Sequence, residues 1–535
     1  MVKHPIQAFT ALLVLGLVVP ACAGEPVHGD TGLLVGPPPG ATLVGTEAEV
    51  EAEGATPVAP GATVGMLAAG QGGPEAGAGG APDLPKGVVS VDPAVQFQTV
   101  RGFGGQADYQ LLGPPGRADG VTRADYDHVL RECVVNGVTW ARVGLPSWED
   151  RNDDGASGTA DHAYFEEQFA YHYPGLVEHL TGLRNAGIEP LVVFWGFPDW
   201  MFGPDGKLKP GILPELVENC AVLLAMLQVR GVPVRYFSLV NEPPWGKTIG
   251  DPDTFAEAVA LLGARLKEMK LDMHIVAPDL AGDIRRLAGG WVEPLLTKAA
   301  PYVDALAFHG YQFSMEAKPE DLVPFHAALR GQIENRGAGG RTPEIWYTEY
   351  NGHWFGNADE DRRAENGPCD SWEHGIKVAE LTHYLLASGV SLSLLWELYD
   401  VRRAVEERVP KRWGTMKYKT EEWAKRPEYQ TFGMYSRFIR PGYRIVGCRA
   451  SRAGAPLAVA ALGPGELVVV LTNPRTAPDT ADIVAGVEPA GATAEVWLTT
   501  RRVPFAVSYR PIRTGRIWVD LPPLSMATVR VPLKR

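Results

Sequence analysis

Tyr236-Phe237-Ser238-Leu239-Val240-Asn241-Glu242-Pro243 runs from an apolar stretch into a polar turn. Ile345-Trp346-Tyr347-Thr348-Glu349 has the same form further along the chain. A short apolar run that stops at a polar loop reads as a buried strand. Six more such runs end at Gly104-Gly105, Arg142, Trp195, Asp279, His309-Gly310-Tyr311 and Trp396-Glu397. Helical patterns lie between them. Eight strand-then-helix units predict an α/β fold, a closed (β/α)8 TIM barrel; a doubly wound open sheet is the alternative, and eight units favour closure.

The helical stretches carry their own signals. Residues 123–136 place Tyr126, Val129, Leu130 and Val134 at one-face spacing. The stretches 214–229 and 252–270 both open on proline, which suits the first helical turn. Asp251 and Asp253 suit the start of the second through capping and the helix dipole. After Pro441-Gly442-Tyr443 helix patterns stop. Short β-rich runs follow at 457–461, 467–472, 494–498, 517–521 and 528–531, predicting a β-sandwich over residues 442–535. Val88-Val89-Ser90-Val91 has the same character and is expected to join it, ahead of a barrel spanning 87–441.

The N-terminus reads differently. Lys3 and His4 precede an apolar run from Ile6 to Val19, too short to favour a membrane span. It ends Val19-Pro20-Ala21-Cys22, similar to a bacterial lipoprotein signal with Cys22 as the lipidated residue. Pro20 is unusual there, so plain cleavage and secretion stay open over residues 1–22. Residues 23–86 are rich in Gly, Ala and Pro and have too little apolar surface to offset ordering entropy, so they read as a flexible tether.

Formal net charge is −13, from 50 basic and 63 acidic residues. That balance argues against a nucleic-acid partner, whose affinity comes mainly from Lys and Arg on phosphate. Cys133, Cys220, Cys369 and Cys448 show no zinc spacing. Cys133 and Cys220 read as buried thiols, and a Cys369–Cys448 disulfide is left open. No cofactor is expected. Gly102-Phe103-Gly104-Gly105-Gln106-Ala107 superficially fits a dinucleotide loop, but no helix opens there. Asp150, Asn152, Asp154 and Asp161 have calcium-loop spacing, against the plainer reading of a polar β-to-α loop.

The strand ends carry the chemistry. Functional groups of a barrel gather at the C-terminal ends of its strands. Glu242 and Glu349 fall there, on the fourth and seventh strands. Two such carboxyl groups suit cleavage of a glycosidic bond, one protonating the leaving oxygen and one attacking the anomeric carbon. Trp195, Trp200, Trp245 and Trp354 follow the third, fourth and seventh strands and offer platforms for sugar rings. The alternatives are core packing for these tryptophans, and a carbohydrate-binding surface lipoprotein without catalysis for the whole chain. The cations Arg402, Arg403, Arg408, Lys411, Arg412, Lys417 and Lys419 crowd the loop after the eighth strand. They read as a solvated, self-paired loop, or alternatively as a site for an acidic sugar.

Gln98-Thr99-Val100-Arg101-Gly102-Phe103-Gly104-Gly105 resembles the opening strand of glycoside hydrolase family 30. Tyr435-Ser436-Arg437-Phe438-Ile439-Arg440-Pro441-Gly442-Tyr443 resembles that family's passage from barrel to sandwich, and Leu521-Pro522-Pro523-Leu524-Ser525-Met526-Ala527-Thr528 its close. The catalytic elements are shared with the wider clan A, family 39 included. The resemblance implies a retaining β-glycoside hydrolase acting on a polysaccharide or oligosaccharide. Glu242 would be its acid/base and Glu349 its nucleophile. Arg142 would keep Glu349 ionised, and Asn241 would donate to the sugar 2-hydroxyl. His309 or Tyr311 would orient Glu349, and Trp396 would form the floor under the sugar. The long insertion after Asp400 departs from the family pattern.

Overall fold

The computed structural model describes residues 87–146, 162–232, 234–245, 248–315, 317–336, 342–352, 368–407, 409–451 and 455–534. Cys22, Trp354, Arg408 and the expected calcium loop with Asp150, Asn152, Asp154 and Asp161 lie outside the described residues.

Eight strands close into a parallel barrel: β2 (Gly102–Gln106), β3 (Trp140–Leu145), β4 (Glu189–Phe194), β5 (Tyr236–Ser238), β6 (His274–Leu280), β7 (Val303–His309), β8 (Glu344–Tyr350) and β9 (Leu392–Leu395). Side chains alternate along each strand, so every second residue faces the axis. Trp140, Leu191, Val276, Ala305, Ala307, Trp346, Leu392 and Leu394 form one apolar plug within it. Trp140 meets Tyr236 and Trp346 edge-on, with ring centroids 4.6 and 5.3 Å apart. Counting by two toward the strand ends leads from Trp140 to Arg142, from Ala307 to His309 and from Leu394 to Trp396. The plug thus supports the polar layer above it. The β2 glycines serve this closure. A Cβ on Gly104 would lie 1.8 Å from the Trp140 carbonyl oxygen.

The helices between strands end where local chemistry says they should. Arg123–Val135 starts on Thr122, whose hydroxyl accepts from the Asp125 amide while Asp125 returns a bond to the Thr122 amide. It buries Tyr126, Val129, Leu130 and Cys133. The expected fourth core residue, Val134, is exposed instead; Cys133, seven after Tyr126, completes the i, i+3, i+4, i+7 face. Leu213–Val229 and Pro252–Glu268 both carry proline in the first turn, and Asp251 caps the second by accepting from the Thr254 amide at 2.8 Å.

The β-sandwich is built on one hydrogen-bonded sheet of nine strands. These are β1 (Val88–Thr99), β10 (Arg444–Ala450), β11 (Leu457–Gly463), β12 (Glu466–Asn473), β13 (Asp479–Val484), β14 (Thr493–Thr499), β15 (Ala506–Pro511), β16 (Arg516–Leu521) and β17 (Ser525–Pro532). β1 lies antiparallel to β10, with Val89 opposite Ala450, and parallel to β13, with Val89 opposite Ile483. Alternate residues of β12 serve two cores. Leu467, Val469 and Leu471 pack inside the sandwich, while Val468 and Val470 join the barrel's helical shell.

Candidate active site

Three irregularities at the strand ends build the site. The first is in β8. Phe308 pairs with Tyr347, yet His309 pairs with Glu349, so the register skips Thr348. Strict alternation from Trp346 would turn Thr348 to the axis and Glu349 away. The skip brings the Glu349 carboxylate into the barrel mouth as well. The second is in β6, whose pairing with β7 shifts between Pro278 and Leu280. Asp279 sits there at φ 62° and turns its carboxylate inward. The third follows β5, which stops at Ser238; Glu242 adopts φ 48°, and its amide bonds the Asp279 carbonyl at 3.1 Å.

Arg142 is the hub. It donates to Glu349 Oε1 at 2.5 Å, Asp279 Oδ2 at 2.6 Å, Asn241 Oδ1 at 2.6 Å and Gln106 Oε1 at 3.2 Å. It has no exposed surface, so it acts through these groups and does not touch a substrate. The bond from Arg142 occupies Asn241 Oδ1 and leaves the Asn241 NH2 group as a donor.

The two candidates for orienting Glu349 divide the work. Tyr311 donates its hydroxyl to Glu349 Oε2 at 2.8 Å. His309 contacts Glu242 Oε1 through Nδ1 at 2.8 Å and Asp279 Oδ1 through Nε2 at 3.4 Å. The His309 side chain is fully buried, so like Arg142 it meets the carboxylates and offers no surface of its own to a ligand. Burial alone would lower its pKa, but Glu349, Asp279 and Glu242 together raise it to about 10. The imidazole is therefore a cation at neutral pH. Burial opposes ionisation of Asp279 too, yet Arg142 and His309 hold its pKa below the ordinary range. For Glu349 burial is the largest effect and raises the pKa, against the pull of His309 and Arg142. Arg142 pulls toward the ionised form, but burial outweighs it and the net shift of Glu349 is upward.

Sequence reasoning did not single out Asp279 for the site. Its signal was present, since it ends the fifth barrel strand. What places it at the centre is backbone conformation. Thr348, which donates to Asp279 Oδ1, was hidden for the same reason.

The aromatic residues differ in placement. Trp396 is buried at the base of the mouth and meets Trp195 edge-on at 5.6 Å and Trp413 at 5.8 Å. Gly144 makes room for Trp195: a Cβ there would stand 1.8 Å from its indole nitrogen. Trp245 is exposed, and its amide bonds the Glu242 carbonyl at 2.8 Å. Trp200 is half-buried and packs against the core of the helical shell, the structural alternative for it.

Metal binding fits poorly. Ligand atoms of Glu242, His309 and Glu349 lie within 4.8 Å of one another. They are already engaged by each other, by Tyr311 and by the Arg142 cation, which would repel an ion. Cys369, His374 and Glu428 form a second close group, tied by a 3.0 Å bond from His374 Nε2 to Glu428. All four cysteines of the described residues are free and buried, so Cys369 and Cys448 do not pair.

The loop cations are paired. Arg402 meets Asp119 at 2.6 Å, Lys411 meets Glu407 at 2.8 Å, Lys419 meets Asp125 at 2.7 Å, and Arg403 bonds Asp108 and Glu397. Lys411 pairs within the segment, whereas Arg402, Arg403 and Lys419 reach Asp119, Asp108 and Asp125 outside it, so the segment is packed against the barrel rather than solvated and self-paired.

No protein-family model and no curated protein sequence matches the chain. Solved structures do. A family 30 endoxylanase from Clostridium papyrosolvens is 16% identical over 83% of this chain and 100% of its own, with TM-score 0.61. An endo-β1,6-glucanase is 15% identical over 84% and 96%, with TM-score 0.61. A family 51 α-L-arabinofuranosidase from Bifidobacterium longum is 16% identical over 83% and 99%, with TM-score 0.56. The chain shares with these structures the fold described above, a (β/α)8 barrel with a β-sandwich. Barrel and sandwich are both included in that likeness, and at these identities it speaks for the fold alone.

Proposed function

We propose that the chain is a retaining β-glycoside hydrolase. The observation that carries this is the pair of glutamates in the mouth of a clan A barrel, with carboxylate oxygens within 4.8 Å. Oxygens this close suit the short spacing of a retaining pair, about 5–5.5 Å between carboxyl groups.

In the first step a Glu349 oxygen bonds the anomeric carbon as the bond to the leaving oxygen breaks. Glu242 gives that oxygen its proton. In the second step water delivers a proton to Glu242 and its oxygen to the anomeric carbon, releasing Glu349. His309 stands beside Glu242 Oε1 as a charged donor, and Arg142 and Tyr311 hold Glu349 in place. Asn241 supplies a donor for the 2-hydroxyl, and Trp396 and Trp195 supply apolar surface for the ring. The same reading takes the protein to be exported on residues 1–22 and held at a bacterial envelope through lipidated Cys22, or secreted, with residues 23–86 as tether.

The test separates the two glutamates. Glu349→Ala should abolish glycosyl-enzyme formation with every leaving group. Glu242→Ala should retain the first step for an activated aryl β-glycoside, and added azide should speed turnover and yield a β-glycosyl azide. A first-formed sugar of inverted configuration by NMR, or substantial activity in both variants, would refute the assignment. Binding of glycans without any turnover would return the chain to the noncatalytic alternative.

A further inference from the structure

The loop after β9 does something that the two-glutamate chemistry does not require. It turns to the neighbouring strand and fastens to the loop after β2. Leu398 donates its amide to the Gln106 carbonyl at 3.0 Å, and Tyr399 its hydroxyl to the Asp108 carbonyl at 3.2 Å. Arg402 meets Asp119, and Tyr418 donates to the same carboxylate at 2.7 Å. Behind this Asp400 is held by both terminal nitrogens of Arg426, at 2.9 and 2.8 Å. A segment with this many buried attachments is a fixed wall.

At the inner edge of the wall stands Arg403. Its guanidinium lies 4.8 Å from the Trp396 ring centroid and 5.8 Å from that of Trp195. It is clasped by Asp108 on one side and by Glu397, at 2.6 Å, on the other. Both carboxylates are buried, while a quarter of the Arg403 side chain stays exposed. Gln106 joins this cluster to the catalytic one, donating to Asp108 Oδ1 at 2.6 Å and accepting from Arg142.

Barrel order says which end of a substrate meets this wall. Glu242 protonates the leaving oxygen, so the aglycone extends over β5. In the ring of eight, β9 lies four strands from β5, diametrically opposite. The far end of the glycone therefore points at β9 and β2, where Arg403, Asp108 and Glu397 stand.

From this arrangement, which rests on the glycosidase reading above, we infer that the enzyme is exo-acting. It takes one neutral, non-reducing terminal sugar, with Arg403 and its two carboxylates recognising hydroxyls remote from the anomeric carbon. Two carboxyl groups clasp the one guanidinium, so the cluster has no surplus positive charge to offer a uronate. Its mixture of donors and acceptors suits hydroxyl groups, which both donate and accept.

The test uses the full chain with three kinds of substrate: p-nitrophenyl β-glycosides of neutral hexoses and pentoses, p-nitrophenyl β-glucuronide, and xylo- and β1,6-gluco-tetrasaccharides labelled at the reducing end. At least one neutral monoglycoside should be hydrolysed, the matching labelled oligomer should shorten one sugar at a time, and the glucuronide should stay intact. Arg403→Ala should raise KM for the monoglycoside about tenfold or more, with kcat changed less. Arg403→Lys, which keeps the charge but loses the planar fork, should recover only part of this loss. Early internal cutting without release of monosaccharide, preference for the glucuronide, or an unchanged KM in a folded Arg403→Ala would overturn the inference. Labelling of Glu349 by a 2-deoxy-2-fluoro glycosyl fluoride distinguishes the failures. Internal cutting with Glu349 labelled sinks exo action alone, whereas no turnover and no labelling sink the glycosidase reading and this inference with it.

Discussion

At the residue scale the site is a buried charge network whose members depend on one another. Asp279, like Glu349, reaches both Arg142 and His309. Asp279→Asn keeps the shape and removes the charge. Breaking a buried ion pair from one side costs about 3–5 kcal/mol; thermal unfolding should show a loss of that order, with kcat reduced as well. Wild-type stability in the variant would mean that Asp279 does not hold the hub. His309 makes a prediction about pH. A free histidine titrates near ~6.5, and the folded site holds this one at about 10. Its contribution to stability is therefore complete below the unfolded value and lost as pH rises toward the folded one. The melting temperature should fall from neutral pH toward pH ~10, and His309→Gln should flatten that limb. Identical alkaline limbs in both proteins would contradict this.

At the element scale the strand ends matter more than the strands. Gly144 on β3 is small because Trp195 leans over it from the end of β4. Gly144→Ala should displace that indole, raising KM for glycosides with little change in the pH dependence of kcat. An unaltered KM would mean that Trp195 takes no part in binding. A different kind of element effect belongs to the Thr122 cap. Its loss in Thr122→Ala should cost about 1 kcal/mol by chemical denaturation, without altering activity. Much of this was legible beforehand. The helix 252–268 was readable from Pro252 and Asp251, and the strand ends from their apolar runs. β10, β13 and β15 were not, because Arg, Asp, Gly and exposed positions interrupt their alternation. β15 leaves five of its six residues exposed.

At the scale of the whole molecule the sandwich is not an appendage. Val468, Val470 and Met526 belong to the same apolar cluster as the barrel helices, and the Thr528 hydroxyl donates to the Met434 carbonyl at 2.7 Å. β1 lies N-terminal to the barrel yet sits between β10 and β13. A chain ended after Arg440 would expose that cluster and leave β1 without partners. It should be insoluble or lack a cooperative thermal transition. A soluble, cooperatively folding fragment would show that the barrel stands alone.

What the sequence determined by itself was periodicity and chemistry. Apolar runs ending in Arg142, Asn241, Glu242, Glu349 and Trp396 are local facts, and a barrel turns strand ends into one surface. That was enough for the fold class and for the two glutamates. Only the tertiary structure decided how the polar groups divide their tasks. A skipped register in β8, left-handed backbone at Asp279 and Glu242, and a loop after β9 clasped to its neighbour after β2 are set by neighbouring strands rather than by the residues' own propensities. These decide that Tyr311 serves Glu349, that His309 serves Glu242, and that Arg403 is already paired. Such assignments depend on distances between segments far apart in the chain, which no local pattern encodes.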